Sequence, residues 1–167
     1  MAHCAVSRFV QAAVNQPTMN NLYETETYQS IIARLEKLTP DSQRLWGKMD
    51  VAQMMAHCAV GIQMAVGDVK PKRSFLGFLV GRFYKGMLTG AIKMPKNSPT
   101  SPAFLITDKR EFEQEKTKLK ALLERMYQGG AAGATTHPNP FFGKLTPDEL
   151  GQGQFHHLDH HLKQFGV

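Results

Sequence analysis

A chain of 167 residues, 42% of them hydrophobic, fits one domain with or without tails and is too rich in core-forming residues to read as disordered. Lys and Arg outnumber Asp and Glu by 20 to 14, and the formal charge of +6 keeps an anionic partner or surface in consideration. Two cysteines, Cys4 and Cys58, exclude a disulfide framework, and no apolar run approaches the roughly 20 residues of a membrane span. With Arg8 interrupting the apolar N-terminal stretch, a secretory signal is also a poor fit, and the expected location is the cytoplasm.

In chain order, the first six residues, Met1-Ala2-His3-Cys4-Ala5-Val6, repeat letter for letter at Met55-Ala56-His57-Cys58-Ala59-Val60. The flanks of the two copies differ, so this is no repeat architecture. Met19 is a plausible second start, and residues 1–18 are expected to lie outside a domain spanning 19–167.

From Tyr23 to Leu38 the apolar residues Tyr28, Ile31, Ile32 and Leu35 follow the amphipathic spacing of a first helix, stopped by Thr39-Pro40. Asp50 and Gln53 form a capping-box pattern for a second helix running to about Val66, which carries His57 and Cys58. Ser74 caps a predicted third helix over 75–88, weakened by Gly77, Gly81 and Gly86 at about 1 kcal/mol each. Residues 94–102 read as a loop. Asp108 with Glu111 predicts a helix over 109–127 ended by Gly129-Gly130, and 129–145 reads as a long connection. Thr146-Pro147-Asp148-Glu149 supplies a cap, a first-turn proline and a box glutamate for a last helix ending before Gly166. No alternating stretch long enough for a sheet remains, so the chain reads as all-α, a four-helix bundle with an extra middle helix or long crossover.

Four of the seven histidines fall in this last helix: His156, His157, His160 and His161. On a helical wheel with His156 at zero, Phe155, Leu158, Leu162 and Phe165 centre near about 220°. His157 and His161 fall at about 100° and 140°, flanking the apolar stripe, whereas His156 and His160 fall at about 0° and 40°, on the far side. Histidines four apart share a face, so His157 and His161 are the pair able to hold a metal toward the bundle interior. Asp159 is placed toward solvent. His57, at the edge of the stripe made by Val51, Met54, Met55, Cys58 and Ile62, is the natural third ligand from a facing helix, with Gln53 one turn earlier as a possible partner of a ligand or bound water. Three neutral imidazoles plus an open position describe a catalytic rather than a structural site, one that lowers the pKa of bound water or of a thiol. Standing alone, His57 would read as an ordinary hydrogen-bonded histidine. Cys58, Met54, Met55 and Met64 read as core filling.

The stretches Leu45-Trp46-Gly47 to His57-Cys58, Pro140-Phe141-Phe142-Gly143-Lys144-Leu145-Thr146-Pro147-Asp148-Glu149, and His157-Leu158-Asp159-His160-His161-Leu162 resemble the DinB-like metal-binding four-helix proteins, over roughly 19–167. The family pattern, one histidine on the second bundle helix and His-x-x-x-His on the last, falls on His57, His157 and His161. The resemblance implies a divalent metal, zinc or nickel foremost, homodimers, and in some relatives a small-molecule substrate attacked by a metal-activated low-molecular-weight thiol. Leu150 stands where tryptophan is expected, and Gly151 and Gly153 enter the first turns of the last helix.

A competing reading takes the seven Lys and Arg between 70 and 96, with no acid among them, as a membrane-surface or nucleic-acid contact centred on 73–85. The bland alternative, an amphipathic helix with solvated lysines, stands ahead of it. A third reading keeps the histidines as structure without turnover.

Overall fold

The computed structural model describes residues 20–72, 81, 85–98 and 104–167. Among these the chain is all-α, and its bundle includes α1 (Thr25–Glu36), α2 (Val51–Ala65), α3 (Phe112–Gly129), the 3-10 helix Ala131–Gly133, and α4 (Pro147–Gln164). The expected N-terminal extension, with His3 and Cys4, lies outside the described residues, as do 75–80 and 82–84 of the predicted middle helix, whose end at 85–88 is helical.

The two helices that carry histidines begin most sharply. At α2, Asp50 accepts from the Gln53 backbone N–H at 2.8 Å and Gln53 Oε1 accepts in return from the Asp50 N–H at 3.0 Å. At α4, Thr146 and Glu149 make the same reciprocal pair, with Pro147 in the first turn. Both boxes satisfy two otherwise orphaned donors.

By contrast, α1 and α3 have no side-chain cap, and both start later than the pattern predicts. Before α1, the Asn21 side chain accepts from the Tyr23 N–H at 3.1 Å, holding Tyr23 in a turn. Before α3, the Asp108 carboxylate pairs with Arg110 at 2.9 Å instead of capping, so the helix begins at Phe112 rather than Lys109. Gly130, with φ of +54°, then closes α3 as the Gly129-Gly130 signal predicts.

Consecutive helices α1 and α2 each pack on α3 and α4 rather than on each other. The core runs between them through Ile31, Leu35, Met54, Met55, Cys58, Ile62, Leu119, Leu123, Leu158 and Leu162, all at most 1% exposed. Burying a side chain of this size contributes about 1.5–3 kcal/mol. Helix α2 is buried on nearly every side, which is why its sequence is apolar almost throughout and its one histidine is enclosed with it.

Gly151 and Gly153, poor helix formers by propensity, are sites of close approach. A Cβ at Gly151 would land on the Asn21 side chain, and one at Gly153 would press on Leu88 at 2.6 Å. Leu150 is buried at 5% exposure, so the position expected to hold tryptophan serves the core. No described helix is long and apolar enough to cross a membrane.

Candidate metal centre

His57 from α2 and His157 and His161 from α4 come together, one ring nitrogen from each lying within 4.8 Å of the others. His57 and His161 are buried and His157 is partly exposed. The His57 and His157 Nε2 atoms are 3.0 Å apart, and the three ring centroids are separated by 4.8 to 5.0 Å. The wheel and the bundle therefore agree on this trio.

Hydrogen bonds settle which nitrogen of two rings faces the centre. The Phe104 carbonyl lies 2.9 Å from His57 Nδ1 and can only accept, so Nδ1 carries the proton and Nε2 is the free donor atom. His161 Nδ1 donates in the same way to Gln164 Oε1 at 2.8 Å, leaving its Nε2 free. His57 Nε2 then has a lone pair, so His157 Nε2–H donates to it. Only His157 must give up its Nε2 proton for all three rings to face a cation with lone pairs.

Burial lowers the pKa of all three rings. For His161 it brings the value to about 3, with the neighbouring His57 adding to the effect. His157 is held well below the ordinary histidine range by burial and then by the His161 and His57 charges. His57 is lowered by burial, against the opposing pull of the Phe104 carbonyl. The cluster is thus neutral at pH 7, the state that binds metals.

The donor set fits a divalent cation. Tetrahedral zinc with Zn–N bonds of about 2.0–2.1 Å needs nitrogens about 3.3 Å apart, which side-chain adjustments of about an ångström would give. No fourth His, Cys, Asp or Glu joins the group among the described residues. Histidine ligation suits zinc, nickel, copper and iron alike.

Room for α4 to approach α2 here comes from Gly61. A Cβ there would stand 2.9 Å from Gln154 Oε1 and 3.3 Å from His157 Nδ1. Gln154 Oε1 itself is buried and finds no donor among the described residues.

Gln53, expected beside a ligand or bound water, makes its bonds to Asp50 and Asp108 instead. Its Oε1 is engaged in the α2 capping box and its Nε2 donates to the Asp108 carbonyl at 3.1 Å, so both ends bond elsewhere. The glutamine that does hold one of the three rings, Gln164, was legible on the same wheel: at about 80° it falls beside His157 and His161. Asp159, expected in solvent, instead pairs with Arg34 of α1 at 2.9 Å. His156 and His160 are also not free in solvent: His156 sits against Gly90, and the His160 ring meets Trp46 edge-on at 5.7 Å. Cys58 is fully enclosed beside Met54, and burial pushes its thiol pKa up, so it is core filling.

Residues 19–166 match the family described as "Protein of unknown function (DUF1569)". The chain belongs to this DUF1569 family. No curated protein and no solved structure matches it. Of the basic stretch in this DUF1569 chain, Lys85 pairs with Glu149 at 2.6 Å and Lys96 lies 4.5 Å over the Trp46 ring, while 73–80 and 82–84 fall outside the described residues.

Proposed function

We propose that this DUF1569 protein is a DinB-like, divalent-metal-dependent enzyme. In this reading His57, His157 and His161 hold zinc or nickel, and the bound ion activates a water or a low-molecular-weight thiol for attack on a small electrophile. The observation that carries it is the convergence of three neutral imidazoles, two of them locked by carbonyl acceptors into the tautomer that leaves Nε2 free.

A bound divalent ion supplies Lewis acidity, lowering the pKa of a coordinated water or thiol toward neutrality. The chain supplies the rest. Three uncharged ligands leave the cation's full charge unneutralised, which favours an anionic nucleophile at the open position more than a carboxylate-rich site would. Phe104 and Gln164 hold two rings in place through their carbonyl oxygens. Beside these rings along their helices, Cys58, Leu158 and Leu162 are buried in the core. The same reading includes a homodimer, which sedimentation equilibrium tests.

Elemental analysis of untagged protein beside His157→Ala is the deciding experiment. About one divalent ion per chain, lost in the variant, is the expected result for a three-ligand site. Metal retained in full by His157→Ala defeats the ligand assignment. A loaded protein with no turnover across thiols paired with small electrophiles, and none with hydrolysable esters and amides, defeats the enzymatic part alone.

A further inference from the structure

The segment Leu45-Trp46-Gly47 contains no histidine and is distant in sequence from α4, yet it is bonded to a ligand's support. Gln164 Nε2 donates to the Trp46 carbonyl at 2.6 Å, and the Gln164 backbone carbonyl accepts from the Leu45 N–H at 2.7 Å. The other end of the Gln164 amide takes the His161 Nδ1–H at 2.8 Å. Gln164 is only 3% exposed, so neither bond has water as a ready substitute.

The loop is itself held in place. The Gly47 N–H donates to Asn97 Oδ1 at 3.1 Å, and Asn97 adopts a left-handed φ of +58°. Gly47 has a φ of +82°, and a Cβ there would land on Gln164 Nε2. Glycine is thus required twice at this position, for the backbone turn and for the approach of the amide.

We infer that Gln164 is a positioning residue for the metal centre, fixing the tautomer and ring angle of His161 and tying that ligand to the Trp46-Gly47 loop. This rests on the three-histidine metal reading. A ligating imidazole oriented by an outer acceptor binds metal about 10–100-fold more tightly than one without it. The two amide ends have separate tasks: the oxygen orients the ligand, and the nitrogen anchors it to the loop.

Zinc affinity, measured by competition with a chromophoric chelator, is compared among wild type, Gln164→Leu and Gln164→Glu. Gln164→Leu removes both bonds at similar volume, and about 10–100-fold weaker zinc binding is expected. Gln164→Glu keeps the acceptor for His161, replaces the donor to Trp46 by a second carboxylate oxygen and adds a negative charge that favours a cation, so affinity no weaker than wild type is expected. Equal loss in both variants assigns Gln164 a merely structural role and overturns the inference, as does undiminished binding in Gln164→Leu.

Nitrogen-15 spectra of the imidazoles in zinc-free protein give a readout independent of metal. Wild type and Gln164→Glu are expected to show His161 as a single Nδ1–H tautomer, and Gln164→Leu a mixture. An unchanged single tautomer in Gln164→Leu overturns the positioning role. If wild type takes up no zinc while the tautomer responds as expected, the metal reading fails and the orientation of His161 by Gln164 stands. Should Gln164→Leu not fold, the conservative Gln164→Glu decides: zinc binding weakened 10-fold or more, or loss of the single tautomer, overturns the inference.

Discussion

Helices α2 and α4 and helices α1 and α3 are built differently. The first pair starts on two capping boxes and carries all three clustered histidines. The second pair has no side-chain caps and is laced by polar contacts across its surface. Tyr28 stacks on Tyr127 with centroids 4.4 Å apart and donates to Glu124, and Lys116 and Lys120 both reach Glu36. Lys116 also donates to the Glu36 and Leu38 carbonyls at 3.3 Å, satisfying the C-terminal end of α1. The three imidazoles that meet are carried by the helices whose starts are fixed by local chemistry, the precision that a metal site would require. The other two need only cover the core, and contacts that tolerate adjustment suffice.

Acid sharpens this contrast most. All three clustered histidines have folded pKa values below the unfolded value of about 6.5, so the unfolded chain binds more protons as pH falls. Their contribution is fully present above about pH 6.5 and is lost as pH falls from there toward the folded value, about 3 for His161. For His161, whose folded value is about 3, metal-free protein should lose up to about 1.4 kcal/mol per pH unit as pH falls below about 6, with His57 and His157 adding losses in the same direction. Urea titrations across that window read the slope, and a flat profile would show that the rings are not enclosed in solution.

Zinc at about 100 times its dissociation constant should return about 2.7 kcal/mol at pH 7. Urea titrations with and without zinc read that gain, and an unchanged midpoint would remove any metal from the comparison.

Cap removal comes next. Asp50→Ala and Thr146→Ala should each cost about 1 kcal/mol, whereas Glu24→Ala and Glu111→Ala, at helix starts without a side-chain cap, should fall within about 0.5 kcal/mol of wild type. Similar losses at all four positions would contradict the difference drawn between the pairs.

The smallest effect is expected at Glu36→Gln, which weakens the ion pairs of exposed Glu36 with half-buried Lys116 and exposed Lys120. A loss of at most about 1 kcal/mol, shrinking further in high salt, is the expected result from melting curves at two ionic strengths.

Much of the fold was legible because its determinants are local. Asp50 with Gln53, and Thr146 with Pro147 and Glu149, specify helix starts within four residues, and both boxes form as their spacing predicts. Periodicity assigned the inward faces, and with them His57, His157 and His161. Where a local signal had a competitor it misled: Asp108 pairs with Arg110 and leaves α3 to start later, and Gln53 spends both amide ends on the cap and on Asp108.

By itself, then, the sequence determined the helical class, the two capped helices and the identity of the three convergent imidazoles, because capping and 3.6-residue periodicity act over a few residues. The tertiary structure decided that the three nitrogens meet within 4.8 Å, that Phe104 and Gln164 select their tautomers, and that Arg34 takes Asp159 out of solvent. Each of these joins groups from separate segments of the chain, and no local pattern encodes the closing of such distances.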